Sequence, residues 1–245
     1  MMDASIIAVF VLSTFVGGVV SGLAGFAFGL VVSGLWLQII TPLETTTLIV
    51  SYALLLQAYG IWRLRHSFDW RHVIPMLVGS AVGSPIGVWL LHLTHPLYLR
   101  LGVGILLVAY SLYGLLRPAL KPLPAHVPGE VVLGLFNGLL GGMTGLSGIL
   151  VTVWCGMRGW SKDEQRAVYQ PVLFASAIMT AIALVAGGAV TVKVMQFFAI
   201  GLPVLGAGML LGFALYHRVD DAMFRRIVLI LLLLSGLALI VPQLV

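Results

Sequence analysis

A chain of 245 residues with 60% hydrophobic and only 9% charged residues cannot cover a water-facing surface, because soluble domains carry roughly 25% charged residues. Its mean hydropathy of +1.12 makes lipid the expected solvent, and the length accommodates about eight crossings at about 20 apolar residues each. The net charge of +5 does not signal nucleic acid, since the 13 Lys and Arg residues sit almost entirely in short connections between apolar runs, where such residues set topology.

In chain order the apolar runs lie at 4–40, 45–62, 73–91, 97–116, 129–157, 167–190, 194–216 and 224–241. The leading Met-Met-Asp-Ala-Ser lacks the basic region of a secretory signal, so the first run is expected to belong to the mature fold. Six runs have ordinary spanning lengths, and the first and fifth are too long. A straight helix over 4–40 would measure roughly 55 Å against a hydrocarbon core of about 30 Å. Small residues break both: Ser21-Gly22-Leu23-Ala24-Gly25 in the first and Gly141-Gly142-Met143-Thr144-Gly145 in the fifth. Glycine supplies positive φ and close backbone approach, so a chain reversal is expected at each.

The basic residues test that expectation. If each long run crossed once, Arg63, Arg65, Arg71, Arg117, Lys121 and Lys193 would face Arg100, Arg158, Lys162, Arg166, Arg218, Arg225 and Arg226 across the membrane, with no asymmetry. If both long runs return to the side they entered from, only Arg100 and Lys193 stand apart from the other eleven. That asymmetry is the one expected for cytoplasmic loops. It places both termini on the non-cytoplasmic side of a multi-pass protein. Each half-helix is expected to hold about 15–18 residues, or roughly 25 Å.

The halves also repeat. Gly18, Gly22, Gly25 and Glu44 align with Gly138, Gly142, Gly145 and Glu164 at a shift of 120, and Gly83, Gly87, His92 and Arg100 align with Gly208, Gly212, His217 and Arg225 at 125. The expected fold is therefore an all-α integral membrane protein of two repeats, 1–120 and 121–245, each a broken-helix hairpin plus three transmembrane helices. One hairpin that returns plus three spans is an odd number of crossings, which inverts the second repeat relative to the first, an arrangement that recurs in transporters with the site at the repeat interface.

In each hairpin the second half-helix would start near Phe26-Ala27-Phe28-Gly29 or Leu146-Ser147-Gly148. A helix N-terminus carries about half a positive charge and several free N–H donors. Two such ends converging near mid-membrane would bind a small anion without any buried lysine or arginine. The candidate substrate-binding residues are Ala24, Gly25, Phe26, Ala27 and Phe28 at the first break and Thr144, Gly145, Ser147 and Gly148 at the second. Ser51, Tyr169 and Gln170 on neighbouring spans complete the set. Each has a structural alternative. The glycines serve helix packing, the hydroxyls of Ser51, Thr144 and Ser147 bond back to a helical carbonyl, and Tyr169-Gln170-Pro171 interrupts the sixth run as a kink. Gln57 and Asn137 are expected to act as interhelical glue, and Glu44 and Glu164 as helix-start residues. Neither the single Cys155 nor the scattered His66, His72, His92, His95, His126 and His217 has metal-ligand spacing, so no metal or cofactor is expected.

Gly18-Val-Val-Ser-Gly-Leu-Ala-Gly-Phe-Ala-Phe-Gly and Gly138-Leu-Leu-Gly-Gly-Met-Thr-Gly-Leu-Ser-Gly resemble the duplicated signature of the TauE/SafE sulfite exporter family, and the resemblance covers essentially the whole chain. It implies secondary transport of a small sulfur-containing anion, such as sulfite or a sulfonate, across a bacterial inner membrane, with the lipid bilayer as surroundings, no nucleic acid partner and homo-oligomerisation left open. Family members carry a denser glycine run at the break, where this chain has Phe26-Ala27-Phe28 and Leu146-Ser147. A passive anion channel is the alternative within transport. Gly145-Leu146-Ser147-Gly148 also matches the GxSG of rhomboid-type intramembrane proteases, but such a serine needs a histidine base in reach. The later His217 lies at a span end beside Arg218, so an enzyme is not expected.

Overall fold

The computed structural model describes residues 4–64, 70–93, 96–116, 127–144, 147–158 and 160–241. Among the described residues all regular structure is helical. The helices are α1 (Ala4–Ala24), α2 (Phe28–Ile39), α3 (Pro42–Leu64), α4 (Trp70–Leu93), α5 (Pro96–Leu116), α6 (Val127–Thr144), α7 (Ile149–Gly156), α8 (Lys162–Ala186), α9 (Val192–Tyr216) and α10 (Asp221–Ile240). Five stretches, Ser5–Ala24, Pro42–Trp62, Trp70–Leu91, Lys162–Ala186 and Val192–Tyr216, are long and apolar enough to cross a membrane. Pro171 does not end α8, which continues through it with Tyr169, Gln170 and Pro171 all buried.

Local sequence explains the helix starts. Thr41 and Glu44 exchange bonds at the head of α3, from the Thr41 N–H to Glu44 Oε2 at 3.0 Å and from the Glu44 N–H to Thr41 Oγ1 at 3.3 Å. Ser161 and Glu164 form the same reciprocal box before α8, at 2.8 and 3.3 Å. Each box satisfies two of the donors left open at a helix start. Thr191 and Asp220 cap α9 and α10 through the N–H groups of Val194 and Met223.

α1 and α2 run side by side in opposite directions. The ring of Trp36 in α2 stacks on Phe10 in α1 with centroids 4.7 Å apart, and its Nε1–H donates to Ser13 Oγ at 2.9 Å. A Cβ on Gly17 would lie 2.9 Å from Val32 and 3.0 Å from Phe28. In the second half, Ser147 folds back against Gly141. Arg158, just beyond α7, then reaches Glu130 in the first turn of α6 at 3.9 Å. At roughly 18 and 12 Å, α2 and α7 are shorter than the hydrocarbon core and shorter than the half-helices expected from the sequence. Both breaks also fall about a turn later than the glycine clusters suggest. Gly22 and Ala24 stay in α1, and Gly141, Gly142 and Thr144 stay in α6, because those glycines are used for packing.

That packing is glycine on backbone. Gly18 and Gly22 of α1 lie against Gly208 and Gly212 of α9, and a Cβ on Gly22 would fall 2.5 Å from the Met209 carbonyl oxygen and 2.9 Å from Gly212 Cα. Gly142 of α6 meets Gly87 of α4 in the same way, its Cβ position 2.9 Å from the Gly87 carbonyl carbon, and Gly138 lies against the backbone of Ser80 and Ser84 in α4. Lipid offers no hydrophobic drive for helices to associate, so close approach and dispersion hold such pairs. Either contact would be lost to any larger residue. Lys193 pairs with Glu44 at 3.0 Å at one end of the bundle. At the other end Lys162 donates to the carbonyls of Tyr216 and Val219, and His72 Nδ1 meets the buried Glu130 Oε1 at 2.6 Å. α8, roughly 37 Å long, separates the two ends.

Candidate functional site

Where α1 stops, its last carbonyls lose their helical partners, and three side chains from other helices replace them. Gln57 of α3 donates from Nε2 to the Gly25 oxygen at 3.0 Å. From α8, the Tyr169 hydroxyl donates to the Ala24 oxygen at 2.5 Å, and Arg166 donates from Nη2 to the Gly22 oxygen at 2.7 Å. Gly25 turns the chain with φ +86°. A Cβ there would lie 2.7 Å from the Tyr169 hydroxyl and 3.0 Å from Arg166 Nε, so both conformation and space demand glycine.

The second break is built differently. Gly148 has φ +101°, and its N–H donates to Asn137 Oδ1 of α6 at 2.7 Å. Leu173 of α8 fills the space over it, 2.6 Å from the Cβ position. Thr144 Oγ1 donates back to the Leu140 carbonyl at 2.6 Å.

The helices that follow the breaks start bare. Ala27 precedes α2 and Gly148 precedes α7, and neither supplies a side-chain cap. The first return bonds are Val31 N–H to Ala27 O at 3.1 Å and Thr152 N–H to Gly148 O at 2.8 Å, so the N–H groups of the opening turns have no intrahelical partner. The heads of α3, α8, α9 and α10, by contrast, all carry Thr, Ser or Asp caps.

A small cavity lies between the breaks. Ser21, Phe26, Phe28 and Gly29 line it from the first broken segment, Ser147 from the second, and Gln57 and Leu173 from α3 and α8. It has room for about one water molecule. Gln57 Oε1, Gln170 Oε1 and Asn137 Nδ2 are buried beside the two breaks or on the helices flanking them without a hydrogen-bond partner among the described residues.

Of the residues singled out by sequence, Phe26, Phe28 and Ser147 line the cavity, and Ala24, Gly25, Ala27, Gly148 and Tyr169 build the turns around it. Gln170 packs against Gly60 of α3. Ser51 donates to its own helix at Thr47 O, 2.7 Å away, and does not line the cavity. Gly145 lies outside the described residues. Gln57, Asn137 and Arg166 carry more of the geometry than their sequence context suggests. Arg166 is only 1% exposed. Its place near the start of α8 reads as a connection, yet its side chain runs inward to α1.

The family model described as "Sulfite exporter TauE/SafE" matches residues 10–239. The chain belongs to the TauE/SafE family. A TauE/SafE relative from Cupriavidus necator, named a probable sulfite/organosulfonate exporter TauE, is 35% identical over 131 residues, which is 51% of this chain and 50% of the relative. The chain therefore matches about half the length of that relative. The probable inner membrane transporter protein TsaS of Comamonas testosteroni is 31% identical over 177 residues, 69% of this chain and 72% of the relative. No solved structure matches the chain.

Proposed function

We propose that this protein is a secondary transporter that carries a small sulfur-containing anion, sulfite or an organosulfonate, across a bacterial inner membrane. The observation that carries the reading is the cavity between two broken helices, because the helix starts facing it carry no side-chain cap. Free N–H groups and the positive end of the helix dipole favour an anion, and site donors that are already oriented need no reorganisation to receive it. Membership in a transporter family and the names of the two relatives point to the same class of substrate.

The site is read as lying between two inverted repeats. The packing of glycines supports this: Gly18 and Gly22 of α1 meet Gly208 and Gly212 of α9, while their counterparts Gly138 and Gly142 of α6 lie on the backbone of α4, Gly142 against Gly87. Each repeat thus lends its broken helix to the same partner helix of the other repeat, as a two-fold axis in the membrane plane requires. The Thr41–Glu44 and Ser161–Glu164 boxes are related by the same shift of 120. The end holding Arg158 and Lys162 is taken as cytoplasmic, from the basic residues it gathers, and both termini as non-cytoplasmic. A serine protease finds no support at Ser147, since no histidine is among the residues lining its cavity.

The test is flux of labelled sulfite and a small sulfonate into proteoliposomes under an imposed potential, with chloride as comparison. The reading expects saturable flux of a sulfur anion, competed by its analogues and accelerated by the same anion on the opposite side. Flux that rises linearly without saturation or counter-transport would make the protein a channel. Absence of flux for every sulfur anion in folded protein would remove the substrate assignment.

A further inference from the structure

Arg166 is the feature that the dipole-based site leaves unused. Its guanidinium is 1% exposed and enters no ion pair among the described residues. Burying a cation without a carboxylate is expensive, so something must supply negative charge. Part comes from α1: Arg166 Nη2 bonds the Gly22 oxygen at 2.7 Å, and the end of a helix carries about half a negative charge. The rings of Tyr216 and Phe213 add their faces, at 4.1 and 5.0 Å from Arg166 Cζ. The Asp163 carboxylate, one turn earlier on α8, is held by the Tyr216 hydroxyl at 2.5 Å and makes no ion pair with Arg166, whose Nε has no hydrogen-bond partner among the described residues.

The position of this guanidinium is informative. Arg166 Nε lies 3.0 Å from where a Gly25 side chain would begin, so a single turn of backbone separates it from the cavity. Phe26, next in the chain, lines the cavity while its ring edges Tyr169 at 5.9 Å. On the outer side, Lys162 lies one helical turn away and holds its Nζ 4.6 Å from the same Tyr216 ring. Lys162 and Arg166 thus stand on successive turns of α8, with the Asp163 carboxylate on the hydroxyl of the same Tyr216.

We propose that Arg166 is an anion-binding residue, the resident counter-charge of the transported substrate on the Lys162 side of the break, reached when Phe26 leaves Tyr169. This rests on the transport reading above and assigns it a charged contact. Because a guanidinium presents planar paired donors to oxyanions, the ligand class is a small oxyanion with at least two oxygens on one atom, as in sulfite or a sulfonate.

The experiment compares wild type, Arg166→Gln and Arg166→Lys in sulfite flux into proteoliposomes and in sulfite-dependent thermal stabilisation of the full chain in detergent. Glutamine keeps a donor for the Gly22 oxygen but removes the charge, so a guanidinium that only caps α1 would leave sulfite affinity unchanged. The expectation is a loss of affinity of about tenfold or more for Arg166→Gln, the usual effect of deleting a charged hydrogen bond, and a smaller loss for Arg166→Lys. Where the glutamine variant does not fold, Phe213→Glu supplies an internal carboxylate to Arg166. That variant should unfold cooperatively and lose the response to sulfite. Wild-type sulfite affinity in either Arg166→Gln or Phe213→Glu overturns the proposal. Wild-type protein that neither binds nor moves sulfite or a sulfonate overturns the transport reading itself, a result distinct from unequal behaviour of the variants.

Discussion

Ser51 and Ser147 are equivalent as sequence, each a small hydroxyl in an apolar run. The fold assigns them different work. Ser51 spends its hydrogen on Thr47 O within its own helix, whereas Ser147 stands at the cavity wall ahead of α7. Ser147→Ala should therefore raise the half-saturating concentration of the transported anion by about two- to tenfold, the effect of one neutral hydrogen bond. Ser51→Ala should leave it unchanged. Concentration-dependent flux of the two variants side by side checks this, and equal effects would remove Ser147 from the site. Gln57 shows the converse case. A glutamine in a membrane span reads as glue between helices, and it is that, since it holds Gly25 O. Its other amide atom is nevertheless left without a partner next to the cavity.

At the scale of the element, the breaks depend on single glycines. Gly25 combines positive φ with walls formed by Tyr169 and Arg166, so Gly25→Ala meets a backbone penalty of about 1–2 kcal/mol and a steric clash as well. The variant should show a clearly lower unfolding midpoint and lost flux. Gly206→Ala is the control, because a Cβ in the middle of α9 meets nothing within 4 Å and alanine is the better helix former. Thermal unfolding in detergent distinguishes them; a Gly25→Ala protein as stable as wild type would mean that the turn tolerates an ordinary residue. α1 and α6 end within about one turn of the glycine clusters, and sequence could not separate the glycines that pack from those that turn. Gly22 and Gly25 differ in what faces them, backbone of α9 for the first and side chains of α8 for the second, and in conformation, since Gly25 has positive φ and Gly22 is helical.

For the whole molecule, the contacts divide the charges between two ends. Glu44 with Lys193 marks one, and Arg158, Lys162 and the His72–Glu130 pair mark the other. The proposed orientation puts the second end in the cytoplasm. Cysteines at positions 71 and 218 should then be protected together from an impermeant thiol reagent in intact cells, and one at 190 should react. All three positions are exposed, and the native Cys155 is buried, so its background labelling stays low. Labelling of 71 and 218 with protection of 190 would invert the molecule; different labelling of 71 and 218 would restore single crossings of the long runs.

Composition and spacing alone determined that the chain is too apolar for a water-facing surface, that two runs are too long to cross a membrane straight, and that Thr41–Glu44 and Ser161–Glu164 begin helices. These are properties of length, polarity and residues a few positions apart, and they survive whatever the rest of the chain does. Tertiary structure decided how the broken ends are satisfied. The partner of Gly22 O is 144 positions away, and that of Ala24 O is 145. No local pattern distinguishes an arginine in a loop from one that bonds across the bundle. Whether Arg166 is a topology signal or a buried cation depends on which carbonyls α1 leaves open when it stops, and that is settled only when α8 packs against the break.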